Sequence, residues 1–148
     1  MKLIIRGYKG AGFGAGFIKR FTFGDYSHIS LVFHLGGQPE EIEAIQGKGV
    51  ILHAPTTGKA FDEFEVPVTE EQILEAHRIA CSFLGAKYDW KGIWGFMIRR
   101  NRHSPDKWFC SELAAYVLWK VGYKLSRREP YRETPSTVAE SLRIQYCG

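Results

Sequence analysis

Cysteine is scarce in this chain: three in 148 residues, Cys81, Cys110 and Cys147. An odd number at wide, irregular spacing excludes a disulfide framework of the kind small secreted domains use. No Cys-x-x-Cys pair is present to suggest a structural zinc, so a reducing compartment is the simplest expectation. Long apolar runs are missing as well, and none approaches the ~20 residues of a membrane-spanning helix. The start, Met1-Lys2-Leu3-Ile4-Ile5-Arg6, has only three consecutive apolar residues, too few for a signal-peptide core. A cytoplasmic location is therefore expected, and a phage or other mobile-element origin would suit a small unsignalled chain. Neither sign of charge dominates. The formal net charge of +4 permits an anionic partner without requiring one.

Three further function classes lack a sufficient signature. His28 and His34 are not at a usual metal-ligand spacing, and no acidic or thiol cluster accompanies them, so no metal is expected. Arg99-Arg100-x-Arg102 and Arg127-Arg128 read as local solvated basic loops, with no broad basic field around them. No nucleic-acid partner is expected. Gly10-x-Gly12-x-x-Ala15 formally resembles a dinucleotide fingerprint. The helix after it would be stopped by Gly24-Asp25, and no second βαβ half follows, so no dinucleotide and no other cofactor is expected.

What the chain does have is enough apolar residue for a core, 45% hydrophobic and 14% aromatic. Its length fits one domain, residues 1–148. Lys2 to Tyr8 reads as a strand, followed by a glycine-rich turn and room for a short helix from Phe17 to Phe23. His28 to His34 alternates: Ile29, Leu31 and Phe33 face a core, while His28, Ser30, Val32 and His34 face the other way. Glu41 to Gln46, Val50 to Ala54 and Glu63 to Val68 continue an antiparallel sheet, with Glu41 and Glu43 on one face. Thr69-Glu70-Glu71-Gln72 is a capping box opening a helix to about Leu84. A helix over Asp89 to Arg100 is weakened by Gly92 and Gly95. A helix through Cys110 ends at Gly122. Thr134-Pro135-Ser136 opens a last helix, with Pro135 at its first position, and Arg143 to Tyr146 reads as a final strand. Strands first and helices after indicate an α+β fold.

Cys110 stands in Trp108-Phe109-Cys110-Ser111-Glu112-Leu113, at the first turn of its helix. A helix N-terminus offers unpaired N–H groups and about half a positive charge, both of which favour a thiolate. Trp108 and Phe109 can anchor the turn. Ser111 and Glu112 suggest that the position borders a non-apolar surface. Leu113, Val117 and Val121 form the stripe that docks the helix. Cys81 reads as a small core residue of its own helix, and Cys147 as a thiol with no role.

His28 is the histidine that follows a turn and opens a strand. It is the preferred base for Cys110, since a thiol, an imidazole and a third polar group are the minimum set for a cysteine hydrolase or acyltransferase. The third group would accept from the far N–H of the imidazole and hold its tautomer. Glu43, in the strand next to that of His28, is the first choice, and His53 is the alternative.

These segments resemble a known family. Tyr26-Ser27-His28-Ile29-Ser30-Leu31-Val32-Phe33 is similar to the histidine strand of circularly permuted papain-like hydrolases. These are the permuted branch of the bacterial NlpC-type cell-wall amidase superfamily, with the YiiX/YebB-like proteins. Ile42 to Val50 resembles the family's second strand and turn, and Tyr88-Asp89-Trp90 with Gly92 and Gly95-Phe96 the segment before the nucleophile. Trp108 to Leu113 resembles the nucleophile helix, and Thr134-Pro135-Ser136 the closing turn. The match runs from about Asp25 to Leu142.

The order histidine, acid, cysteine is that of the permuted branch. The resemblance implies a permuted papain-like fold, a small antiparallel sheet or barrel packed on helices. It also implies Cys110 as nucleophile, His28 as base and Glu43 as orienter, with no cofactor. Tyr26, Ser27, Tyr88 and Trp108 are candidate substrate-binding residues. The substrate is expected to be a small peptide, amide or acyl compound, a cell-wall peptide being one such. Lipid or thioester acyl transfer, with Phe13, Phe17, Phe21 and Phe23 lining a groove, is the alternative within the class. A catalytically silent binding or assembly module is the alternative outside it.

Overall fold

The structure is a computed structural model that describes residues 1–9, 25–88, 107–108, 110–125 and 134–146. Five strands form one antiparallel sheet: β1 (Lys2–Tyr8), β2 (His28–His34), β3 (Glu40–Ile45), β4 (Gly49–His53) and β5 (Phe61–Glu65), in the order β4-β3-β2-β1-β5. Among the described residues three helices follow, α1 (Glu70–Ser82), α2 (Cys110–Lys120) and α3 (Pro135–Tyr146). A short parallel pair joins β6 (Lys87–Tyr88) to β7 (Lys107–Trp108). The class is α+β, with helices gathered after the sheet. The expected helices over 17–23 and 89–100 fall outside the described residues.

Register explains why the sheet can carry a site. In the β1–β2 pair, Tyr8 lies opposite His28 and Arg6 opposite Ser30. In the β3–β4 pair, Glu41 lies opposite His53 and Glu43 opposite Ile51. Strand period two therefore collects Arg6, Tyr8, His28, Ser30, Glu41, Glu43 and His53 on one face. The opposite face is apolar. Leu3, Ile5, Ile29, Leu31, Phe33, Ile42 and Ala44 are buried there in a core with Leu113, Val117 and Leu118 of α2, Ile73 and Ala76 of α1, and Val138 and Leu142 of α3. Each fully buried Leu, Ile or Val contributes roughly 1.5–3 kcal/mol, so α2 is held firmly on the sheet by its stripe.

The helix ends follow local chemistry. At α1 the Thr69 hydroxyl accepts from the Gln72 N–H at 3.2 Å, and the Gln72 side chain accepts from the Thr69 N–H at 2.8 Å. The same logic opens α3: Thr134 N–H donates to Thr137 Oγ1 at 2.8 Å, and Thr137 N–H to Thr134 Oγ1 at 3.1 Å, with Pro135 first in the helix. The expected strand at Arg143–Tyr146 is instead the end of α3. Four alternating residues are too few to define a period, and the buried Val138, Ala139 and Leu142 ahead of them carry the helix through.

Gly49 shows how closely the connection after α1 approaches the sheet. Its φ is +79°, and a Cβ there would strike the Ala86 carbonyl oxygen, which accepts from the Val50 N–H at 2.9 Å. Gly49→Ala is expected to destabilise the protein by about 2–4 kcal/mol, the sum of left-handed strain and a backbone clash. Chemical denaturation would measure it.

Candidate active site

Three separate elements deliver the site. Cys110 is the first residue of α2, His28 the first of β2, and Glu43 lies in β3. The His28 Nε2 bonds directly to Glu43 Oε2. Glu43 is buried and takes a second imidazole on its other oxygen: His53 Nε2 lies 2.7 Å from Oε1. The His53 Nδ1–H donates to the Ala54 carbonyl at 2.6 Å. Glu43 and His53 are thus not alternatives in space. They stand in series behind His28.

Both ring nitrogens of His53 face acceptor oxygens. With Nε2 of His28 engaged by Glu43, Nδ1 is the ring nitrogen left to exchange a proton with the thiol.

The electrostatics agree with that geometry. Burial opposes charge on His28, but attraction and hydrogen bonding to Cys110, then to Glu43, overcome it and its pKa is pushed up to about 10. Burial likewise opposes charge on Glu43, and the hydrogen bond and charge of His28, with a smaller contribution from His53, hold its carboxyl below the usual carboxylate value. Cys110 is 2% exposed, whereas the His28 side chain is 24% exposed, so solvent reaches the pair from the imidazole side.

A second Cys-His-Glu set provides a contrast. Cys81 Sγ lies 3.6 Å from His77 Nε2, which is 2.7 Å from Glu40 Oε2. Cys81 stands near the end of α1, where the helix dipole is negative. Burial and the charge of Glu40 raise its pKa, the opposite of activation. Among the described residues no group of three or more His, Cys, Asp or Glu side chains is arranged to hold a metal ion.

Other expected site residues are placed differently. Tyr26 is buried in the core: its ring lies against the Gly7 backbone and edge-on to Phe64. Its hydroxyl bonds to Asp62 and accepts from Arg143 Nη2 at 2.6 Å. Burial and the Asp62 bond push its pKa up to about 12, and the ring and hydroxyl are both committed to the protein. Ser27 is also buried, its Oγ–H donating to the Tyr8 carbonyl at 3.2 Å. Ser111 and Glu112, expected at a polar border, are fully buried because α2 is covered on that side too. The side chains of Tyr88 and Trp108, and the phenylalanines at 13, 17, 21 and 23, lie outside the described residues, as do Cys147 and the basic loops at 99–102 and 127–128.

Glu41 and Tyr8 belong to the same polar face, although nothing in the sequence singles them out as site residues. Glu41 has no exposed surface and accepts from Ser30 Oγ at 2.5 Å, from the Thr56 N–H at 2.6 Å and from the Tyr8 hydroxyl. Its one legible signal is its place two residues before Glu43. No protein-family model matches the chain, and no curated protein matches it significantly. Among the described residues, no helix is long and apolar enough to cross a membrane.

Proposed function

We propose that this chain is a thiol-dependent hydrolase, an amidase or peptidase, using Cys110, His28 and Glu43 in the manner of circularly permuted papain-like enzymes. The observation that carries the reading is the convergence of a helix-opening cysteine, a histidine and a buried carboxylate from three distant segments in the order thiol, imidazole, carboxylate. In this reading the proton of Cys110 rests on His28 Nδ1, and the resulting thiolate attacks the carbonyl carbon of an amide. Backbone N–H donors at the head of α2 stabilise the developing oxyanion, an interaction worth roughly 3–4 kcal/mol per donor in a protease where it was removed. His28 returns its proton to the leaving amine, and Glu43 keeps the ring oriented throughout. Water, losing its proton to His28, then attacks the thioester, and collapse of the adduct releases the acid and restores the Cys110 thiolate beside protonated His28.

The contrast with Cys81 supplies the test. Iodoacetamide at pH 6, read by peptide mass mapping, is expected to label Cys110 at least about tenfold faster than Cys81, because a thiolate rather than a thiol is the nucleophile. Equal rates would remove the chemical basis of the proposal.

A further inference from the structure

The carboxylate beside Glu43 has no place in that mechanism, yet it is fully buried and bonded to four residues. Glu41 and Glu43 are two residues apart on β3 and share a face of the sheet. Donors reach Glu41 from three elements: Tyr8 and Arg6 on β1, Ser30 on β2, and Thr56 in the connection between β4 and β5. Arg6 Nη1 lies 3.5 Å from Glu41 Oε2 and also donates to the Thr56 carbonyl at 3.2 Å, so both backbone groups of Thr56 are held.

Two parts of this network are tied to the candidate site. Tyr8 is the register partner of His28, and their rings lie 5.6 Å apart at 38°. Thr56 is two residues after Ala54, whose carbonyl accepts from His53. Burying a carboxylate is expensive, and for stability alone a well-packed apolar side chain often serves as well. What a carboxylate adds is direction, since each of its donors must point at one of two oxygens.

We propose that Glu41 is a positioning residue of the site: it aims the Tyr8 ring against one side of His28 and fixes the 54–60 connection that carries the acceptor of His53. The proposal deepens the hydrolase reading, because its target is the base assigned there. Among the described residues, the groups that face His28 are Cys110 from α2, Glu43 from β3, with His53 behind it, and Tyr8 from β1.

Tyr8→Phe keeps the ring and removes the bond to Glu41, and Glu41→Gln keeps the shape and removes the charge. The readout is the titration of the His28 ring by long-range ¹H–¹⁵N NMR, assigned with His28→Gln, alongside the iodoacetamide rate of Cys110. In both variants the His28 midpoint is expected to fall by about one unit, with Cys81 labelling unchanged. A fall in thermal stability with an unaltered His28 titration would reduce Glu41 to a structural residue and overturn the proposal. Should Glu41→Gln fail to fold, Tyr8→Phe alone decides. Unreactive Cys110 in the wild type would defeat the hydrolase reading, while the His28 titration would still judge Glu41.

Discussion

Cys110→Ala is expected to lower turnover by at least about a thousandfold on whichever substrate the wild type processes, the scale of loss when a covalent nucleophile is removed. A panel of p-nitrophenyl esters, thioesters and peptide amides would identify that substrate. Burial of the residue makes the variant a clean one. Cys110 is 2% exposed and packed at the head of α2, and exchanging its sulfur for hydrogen in a buried site costs on the order of 1 kcal/mol, so the loss cannot come through unfolding. Wild type and variant behaving alike on every member of the panel and in every binding assay would favour a silent module.

The second large effect concerns Glu43, where two replacements separate its roles. Glu43→Leu removes both hydrogen bonds and leaves His28 and His53 with no acceptor between them. Turnover is expected to fall by about 10³, because the imidazole loses the partner that sets its tautomer. Glu43→Gln is expected to lose about tenfold to a hundredfold. Its carbonyl can still accept from His28 Nε2–H if its amide turns to His53, but the charge that stabilises the imidazolium is gone. Equal activity in Glu43→Leu and wild type would exclude the carboxylate from the mechanism.

The pH dependence of the Glu43 contribution has a defined sign. Attraction and hydrogen bonding to Cys110, and then to Glu43, raise the folded pKa of His28 above 6.5 to about 10, so the stability these contacts supply, the Glu43 share included, is complete below about pH 6.5 and is lost as pH rises towards 10. Glu43 has its folded pKa lowered from 4.5, so its contribution is present above that value and is lost as pH falls below it. The stability difference between wild type and Glu43→Leu, followed by chemical denaturation, should therefore be greatest near about pH 5–6.5 and shrink on both sides.

Much of the fold is legible in the sequence because the relevant signals are local. The β2 alternation of Ile29, Leu31 and Phe33 against His28 and Ser30, the Thr69 and Gln72 capping box, Pro135 opening α3 and Gly122 closing α2 each depend on a few adjacent residues. Strands adjacent in sequence pair most readily, so chain order alone suffices to set Glu43 beside His28. Local pattern misleads where it meets long-range packing. Arg143–Tyr146 looks extended by alternation and is helical because α3 has already nucleated and docked on Leu142. Tyr26 stands two residues before His28, and alternation carried backwards would set the two on one face. The strand begins only at His28, and the Tyr26 ring instead packs over Gly7, the β1 residue whose missing side chain leaves room for it.

The sequence by itself determined the α+β class, the helix carrying Cys110 at its head, and the histidine and carboxylate brought together by neighbouring strands. Tertiary structure decided three things that spacing cannot encode. It set His53 behind Glu43 rather than in its place, because β4 pairs with β3 and not with β2. It gave Cys81 a histidine and glutamate set of its own, because Glu40 of β3 meets His77 of α1 only once the helix has packed on the sheet. It also made Glu41 the hub of a buried network, since donors from two strands and a loop meet one carboxylate only after the sheet has formed.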